Sequence, residues 1–367
     1  MAERVPSIID DVIARNGDYP PSIQGNLKRL RDAIAGDEAL ALFEPPAPDY
    51  DLWAQRFAPH AGASWLDTEW LFAEMLAYRL VLDRVRYWTT RRDPFRPMKD
   101  AEMTSDALAD AVAAALGAAA DADRPEAALA EQLLRGLWGN RMDLSIQSAA
   151  AQGTEAADEH LLASDLADAA HDLVRAAPGP VHIIMDNAGT EEALDLVLAD
   201  VLLRRELAAE VTLHVKMTPV LVSDVIGEDL FRLLRALAAR GGALEALAER
   251  IRGYFDEGRL RAVPDFFWST DARLWDLPPR LERTFAGAPL VVSKGDANYR
   301  RITNDALWPA GATFPDAARG FPAPLLALRT IKSDTLVGVD AQTMQRLDRK
   351  EPGWRTRGTY GVAQYAP

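Results

Sequence analysis

The sequence of 367 residues contains no cysteine, and this absence excludes several kinds of chemistry at once. Disulfide frameworks, thiolate nucleophiles, iron–sulfur clusters and cysteine-based zinc sites all require that residue. A metal ion would therefore be held by oxygen or imidazole ligands. Histidine is not our candidate catalyst, because the five histidines show no paired ligand spacing: His60, His160, His171, His182 and His214.

Long apolar runs and an excess of positive charge are missing as well. No stretch approaches the ~20 apolar residues needed to span a bilayer, and the charged N-terminal segment lacks the apolar core of a secretory signal. We therefore expect a cytoplasmic protein with no membrane partner. The formal net charge is -14, whereas binding to nucleic acid needs clustered lysine and arginine, so nucleic acid is not an expected partner.

The apolar spacing predicts two domains. Residues 1–150 carry apolar side chains three and four apart and are predicted to form a helical N-terminal domain. Residues 151–367 begin with a predicted helix, Leu161 to Arg175, and then alternate between β-branched runs and helical patterns. Strands are predicted at residues 181–185, 211–215, 290–293 and 325–328, with helices at residues 191–207 and 228–240. This alternation predicts an α/β fold with a mostly parallel sheet.

Acidic and amide side chains follow two of the predicted strands. Asp186 and Asn187 come directly after the first strand, and Asp224 follows the second. Ligands bind at the carboxyl ends of parallel strands, and carboxylate and amide oxygens suit a hard cation such as Mg²⁺ or Mn²⁺. The sequence therefore favours a metal site made by these three residues. The alternative is ordinary turn and N-cap residues, since Asp and Asn are common in both roles.

Basic residues follow the next two predicted strands. One cluster runs from Lys294 through Gly295 and Asp296 to Arg301, and the other ends at Lys332. Beside a glycine turn, such donors can bind phosphate, although a basic surface loop or a surface ion pair is the alternative. Two acidic and two basic clusters at successive strand ends match the needs of metal-assisted phosphoryl transfer. Motifs for dinucleotide binding, the P-loop, the serine nucleophile elbow and the zinc-protease helix are missing.

These clusters, in this order, resemble the damage-control phosphatase family, in the branch with an R-T-x-K signature that is also described as acidic-residue (protein-glutamate) methyltransferases. The resemblance covers nearly the whole chain. Besides the clusters above, its motifs are Trp70-Leu71-Phe72-Ala73-Glu74, Tyr78-Arg79, Asp93-Pro94-Phe95, Leu137-Trp138-Gly139-Asn140, Asp143-Leu144-Ser145 and Arg329-Thr330-Ile331-Lys332. It implies a three-layer α/β/α Rossmann-like sheet domain joined to an N-terminal all-α domain.

The resemblance also implies a site. A divalent ion, Mn²⁺, Co²⁺, Ni²⁺ or Mg²⁺, would be held by Asp186, Asn187 and Asp224, with the first two also contacting substrate. Further substrate contacts are expected from the 296–300 motif, from the last residue of the R-T-x-K signature and from the helical domain: Asp296, Ala297, Asn298, Tyr299, Arg300, Lys332, Glu74, Arg79 and Asn140. Asp143 is expected at the same cleft. For the helical-domain residues, a buried polar network is the alternative.

The predicted activity is metal-dependent hydrolysis of small phosphorylated metabolites, with sugar phosphates as the expected substrates. One alternative is a methyltransferase that uses S-adenosylmethionine, in which Glu191 matches a position assigned to that cofactor, although no glycine-rich nucleoside loop follows the first strand. The other alternative is a sensor that binds phosphometabolites without turnover. The sequence leaves the oligomeric state, the preferred metal and the physiological substrate open.

Overall fold

The fold is α/β, as the sequence predicts. A computed structural model describes residues 1–139 and 160–367. The strands are β1 Leu161–Ser164, β2 Gly179–Ile184, β3 Ala208–Lys216, β4 Leu260–Asp265, β5 Leu290–Lys294, β6 Leu325–Thr330 and β7 Gly361–Ala366. Described residues 1–139 contribute helices and one isolated β-bridge, between Ala39 and Ser64.

The described helices are numbered here in chain order. They are α1 Arg4–Arg15, α2 Pro21–Ala35, α3 Tyr50–Phe57, α4 Trp70–Arg84, α5 Tyr87–Thr90, α6 Arg96–Met103, α7 Asp106–Asp121, α8 Pro125–Trp138, α9 Leu166–Ala176, α10 Thr190–Arg204, α11 Gly227–Arg240, α12 Gly242–Asp256, α13 Pro279–Phe285, α14 Asp296–Ile302, α15 Phe314–Ala317 and α16 Ala341–Lys350. Among the described helices, none is long and apolar enough to cross a bilayer.

The chain forms two compact units. Unit 1 comprises Met1–Ala101, Lys216–Asp224 and Asp265–Asp271, and unit 2 comprises Glu102–Val215, Val225–Pro264 and Ala272–Pro367. The domain boundary predicted between residues 150 and 151 lies outside the described residues and stays a prediction.

Unit 1 has a helical core of its own. Amphipathic helices such as α1 and α2 bury only the stripe that faces this core, as Ile9 and Leu27 do. Helix α4 is different, because every residue from Leu71 to Leu82 is buried. A helix that is buried on all sides should be apolar all round. The two charged residues in that stretch, Glu74 and Arg79, therefore need buried partners.

Unit 2 is built on a seven-stranded sheet in the order β1-β7-β6-β5-β2-β3-β4. Strands β3, β2, β5 and β6 run parallel to one another, whereas β7 is antiparallel to β6. From β2 the chain moves outward through β3 and β4, then returns to place β5 on the other side of β2. Strand order therefore reverses between β2 and β5, and open α/β sheets bind ligands in the crevice at the carboxyl ends of such strands.

Helices cover both faces of this sheet, which gives the three-layer arrangement. Successive side chains of a strand point to opposite faces. Val181 and Ile183 of β2 join the apolar core that contains α7 to α12. His182 lies between them in sequence and contacts the ring of Phe285 from α13, on the opposite face.

The prediction of one helix from Leu161 to Arg175 is wrong at its start. Residues 161–164 form β1, which pairs in parallel with β7, and helix α9 begins only at Leu166. Asp165 separates the two elements, and its carboxylate accepts a hydrogen bond from the Tyr365 backbone N–H at 3.0 Å. A partner strand 200 residues away determines this conformation, so the local apolar spacing could not predict it.

Candidate active site

The first two predicted site residues lie together where β2 ends, at the switch point of the sheet. Asp186 is 5% exposed, and Asn187 is half-buried beside it. The Asn187 side-chain amide nitrogen donates to Asp186 Oδ2 at 2.7 Å and to Glu191 Oε2 at 2.9 Å. Because both acceptors are carboxylates, this amide group can be oriented in only one way, with Oδ1 turned away from them.

Gly295 brings the end of β5 against the same carboxylate. A Cβ atom on Gly295 would lie only 2.0 Å from Asp186 Oδ2 and 2.1 Å from the carboxyl carbon. The glycine also has φ 86° and ψ 171°, a region that is essentially restricted to glycine. No other residue type would leave room for Asp186 in its present position.

Asp296, the next residue, is fixed by the R-T-x-K segment. Its Oδ1 accepts hydrogen bonds from Arg329 Nε at 2.7 Å, from the Lys332 backbone N–H at 3.0 Å and from Ser333 Oγ at 3.1 Å. Burial raises the pKa of Asp296, but the Arg329 and Arg300 guanidinium groups and the Lys332 N–H outweigh it, so the pKa is lowered. Asp296 is therefore a carboxylate at neutral pH.

The rest of the 296–300 motif lies on α14, and its side chains are engaged within unit 2. Ala297 is buried, and Tyr299 donates its hydroxyl hydrogen to Gln364 Oε1 at 2.7 Å. Arg300 forms a two-pronged ion pair with Asp305, at 2.7 and 2.9 Å. The structure thus places Tyr299 and Arg300 in buried polar networks rather than on an open surface.

Asn298 has one polar atom that stands out. Its amide nitrogen donates to the Lys294 carbonyl at 2.8 Å and to the Met185 carbonyl at 3.3 Å. Its Oδ1 is buried and has no hydrogen-bond partner among the described residues. Leaving a buried acceptor unsatisfied costs about 1–3 kcal/mol, and Met185 directly precedes Asp186. An unsatisfied oxygen therefore lies close to the carboxyl end of β2.

Lys332 is exposed, in contrast to the arginine of the same signature. Its methylene chain runs beside Gly358, where a Cβ atom would lie 3.3 Å from Lys332 Cε. Arg329 is fully buried, and its guanidinium carbon lies 4.2 Å from the centroid of the Tyr299 ring. Its Nη2 donates to the Ser333 carbonyl and to the Ser333 hydroxyl, both at 2.8 Å. Arg329 therefore fixes the segment that presents Lys332.

Asp224 lies in unit 1, where it is 1% exposed. Its Oδ2 is 3.1 Å from the Lys216 ammonium group, and its backbone carbonyl accepts a hydrogen bond from Lys99 at 2.8 Å. Lys99 is also paired with Asp93 at 3.0 Å. Two buried lysines thus contact this residue, Lys216 at the carboxylate and Lys99 at the backbone carbonyl.

Glu74 and Arg79, also in unit 1, are engaged in ion pairs. Glu74 is paired with Arg4 at 2.8 Å. Arg79 makes two hydrogen bonds to Asp49, at 2.5 and 2.8 Å, and stacks on the ring of Phe43. These contacts fit the alternative of a buried polar network. Asn140 and Asp143 lie outside the described residues.

Comparisons with known proteins identify the family. A sequence profile for the damage-control phosphatase ARMT1-like domain matches residues 1–347. The chain belongs to this family. It is 29% identical to damage-control phosphatase ARMT1 of Danio rerio, with 93% of this chain and 84% of that protein aligned, and 27% identical to the Homo sapiens protein, with 92% and 85% aligned.

A solved structure gives the same picture of the fold. A crystal structure of a DUF89 family protein from Pyrococcus horikoshii matches the whole chain and covers 96% of its own length, with a TM-score of 0.54 and 14% identity. At this identity the likeness concerns the fold alone. The resemblance noted in the sequence is thus confirmed, and membership in the damage-control phosphatase ARMT1-like family supports a phosphatase.

Unit 2 of this family member offers oxygen donors for a divalent cation. The Asp186 carboxylate, the outward-turned Asn187 Oδ1 and the unsatisfied Asn298 Oδ1 are all hard oxygen ligands. Within residues 1–139 and 160–367, no cluster of three or more acidic or histidine side chains has the geometry of a metal site. The three oxygens named above match the donor type of a hard cation such as Mg²⁺, which completes its coordination with water or phosphate.

Sequence reasoning missed the contacts of two residues that support the site in this damage-control phosphatase fold. The sequence analysis identified Lys294 only as a basic residue of its cluster, and Arg329 only as the arginine of the R-T-x-K signature. The signal for Lys294 was present, since a lysine that ends an apolar strand will be buried and must pair with acids. The role of Arg329 depends on Ser333 and Asp296, and no local pattern reveals that.

Proposed function

We propose that the protein is a divalent-metal-dependent phosphatase that hydrolyses small phosphorylated metabolites, with sugar phosphates as the substrate class. The observation that carries this proposal is the arrangement at the β2–β5 switch point. There, Asp186 and Asn187 meet the Gly295–Asp296 turn, and Asp296 is bonded to the segment carrying Lys332. Family membership supports the phosphatase activity.

Asp186 and Asn187 would hold the cation, which when bound supplies Lewis-acid activation of water and of the phosphoryl group. The protein's part is to keep both ligands ready. Gly295 leaves space for the Asp186 carboxylate, and the hydrogen bonds of the Asn187 amide turn its oxygen outward. Asp224 is the third proposed ligand, and its assignment rests on the sequence.

Two further side chains would act on the substrate. Asp296 stays anionic, so it can accept a hydrogen bond and orient a water molecule or a sugar hydroxyl. It cannot serve as a general acid near neutral pH, since its pKa is lowered. Lys332 is exposed and would neutralise charge on the phosphate oxygens. Arg300, which is paired with Asp305, would add positive charge near Asp296.

The test is phosphate release from a panel of sugar phosphates after chelator stripping, with Mn²⁺, Co²⁺, Ni²⁺ and Mg²⁺ added back separately. Wild type is compared with Asp186→Asn and Asp224→Ala, and with Asp276→Ala as an exposed control. We expect metal-restored activity in the wild type and the control, and at least about a 100-fold loss in the two site variants.

The same experiment separates the alternatives. Activity that survives complete metal removal would contradict the proposed chemistry. Binding of sugar phosphates without phosphate release, by folded protein with metal present, would favour a sensor. Methyl transfer from S-adenosylmethionine to protein carboxylates would favour the methyltransferase, in which Glu191 would have to leave its contacts with Asn187 and Lys294.

A further inference from the structure

Lys294, the last residue of β5, is a fully buried cation. Its ammonium group lies 2.6 Å from Asp195 Oδ1 and 3.1 Å from Glu191 Oε1, both on α10. Burial lowers the pKa of this lysine, but the charges of Asp195 and Glu191 outweigh burial, so the pKa is raised and the ammonium form persists. Removing one partner of a buried ion pair leaves an uncompensated charge.

Glycines at the end of α8 enclose this cluster. A Cβ atom on Gly136 would lie 3.5 Å from the Lys294 ammonium group and 3.7 Å from Asp195 Oδ1. A Cβ atom on Gly139 would lie 3.2 Å from the Glu191 Cα atom and 2.8 Å from Leu194 Cδ1. The close helix limits access of water, and electrostatic interactions are stronger where water is excluded.

The cluster continues to the proposed cation ligands through a single side chain. Glu191 binds Lys294 with Oε1 and accepts the Asn187 amide hydrogen with Oε2. Asn187 donates its second amide hydrogen to Asp186. An amide turned the other way would place its oxygen, an acceptor, against two carboxylate oxygens, which are acceptors as well.

We infer that Lys294 is a positioning residue: by pairing with Glu191 it holds the Asn187 amide with its oxygen turned outward to receive a cation. The cation itself rests on the proposed function, whereas the orientation of Asn187 does not. Lys294 does not touch the substrate in this scheme and acts only through Glu191. Residues that orient metal ligands in this way typically change metal affinity about 10–100-fold when they are removed.

The test compares Lys294→Met with Asp195→Asn, which breaks the stronger contact of the same lysine but leaves the link to Glu191. In metal-free protein, the side-chain amide signal of Asn187 is followed by NMR, with Asn187→Asp used to assign it. We expect hydrogen exchange at this amide to rise at least about tenfold in Lys294→Met and to stay near the wild-type rate in Asp195→Asn. Unchanged exchange and chemical shift in Lys294→Met would overturn the inference.

Mn²⁺ titration of the same proteins, followed by EPR of the free ion, gives the second readout. The dissociation constant should rise about 10–100-fold in Lys294→Met and little in Asp195→Asn, even if both lower the melting temperature. If wild type binds no Mn²⁺, the proposed metal dependence fails, and the NMR result still decides the role of Lys294. If Lys294→Met does not fold, Glu191→Gln takes its place, and an unchanged Asn187 signal in that variant would refute the inference.

Discussion

Replacing Gly295 with alanine tests the close approach on which the site depends. The new residue would be held at φ 86° and ψ 171°, which costs roughly 1–3 kcal/mol of backbone strain. Its Cβ atom would lie 2.0 Å from Asp186 Oδ2, whereas non-bonded carbon atoms keep about 3.5 Å or more. The carboxylate would have to retreat by about 1.5 Å, and such overpacking adds typically 1–3 kcal/mol.

Gly241 offers a matched control in the same unit. It has φ 74° and ψ -179°, so an alanine there meets nearly the same backbone strain. Apart from its two chain neighbours, no described residue has an atom within 4 Å of its added Cβ. The difference between Gly295→Ala and Gly241→Ala therefore isolates the displacement of Asp186. For a unit of this size, the extra 1–3 kcal/mol lowers the melting temperature by about 2–12 °C.

The assays are urea unfolding, melting temperature and metal-dependent phosphate release. Gly295→Ala should lose about 100-fold in kcat/KM, because a ligand displaced by more than about 1 Å no longer positions the reaction. Gly241→Ala should keep its activity. In an Asp186→Ala background, Gly295→Ala should lower the free energy of unfolding by no more than Gly241→Ala does, since the Asp186 carboxylate is no longer there to be displaced. Equal stability and activity for the two glycine variants would refute the reasoning.

Three other substitutions test single contacts. Arg329→Met should lower the free energy of unfolding, measured with urea, by roughly 3–5 kcal/mol, because it leaves the buried carboxylate of Asp296 without its partner. The control Arg319→Met, at an exposed arginine, should change it by less than about 0.5 kcal/mol. Tyr299→Phe should cost about 1–3 kcal/mol by the same method and leave KM unchanged, since its hydroxyl bonds within the fold; a raised KM would contradict this. Burial lowers the pKa of His182 from 6.5 to about 4, so its stabilisation is present above pH 6.5 and is lost as the pH falls towards 4. When the pH falls from 7 to 5, the free energy of unfolding should drop by about 2 kcal/mol more in the wild type than in His182→Gln. Equal drops would show that His182 is not the cause.

The inner strands and the start of the site could be predicted because their signals are local. The run at residues 181–185 is apolar and β-branched, as a strand buried on both faces must be, and the structure has β2 at Gly179–Ile184. Asp186 and Asn187 then follow directly at the carboxyl end. The same reasoning placed β5 and the glycine turn after it, so both sides of the switch point were visible in the sequence.

Edge strands and strand pairing could not be predicted, because they depend on residues that are far apart in the sequence. Strand β1 pairs with β7, about 200 residues further along, and neither has a local pattern strong enough to identify it. The side-chain roles on α14 depend on distant partners too. Tyr299 and Gln364 are 65 residues apart, so the sequence pattern alone could not separate a substrate contact from a residue that supports Arg329.

The proposed recognition of a phosphate by an acidic protein depends on where its cations lie. Lys294 and Arg329 are fully buried at the carboxyl ends of β5 and β6, and each is paired with carboxylates. These two cations are therefore already engaged by the side chains of Glu191, Asp195 and Asp296. Lys332 is an exposed cation just after β6, and a single lysine in water attracts phosphate only weakly. The divalent cation that we propose beside Asp186 would supply further positive charge for binding a doubly charged phosphate ester at this edge.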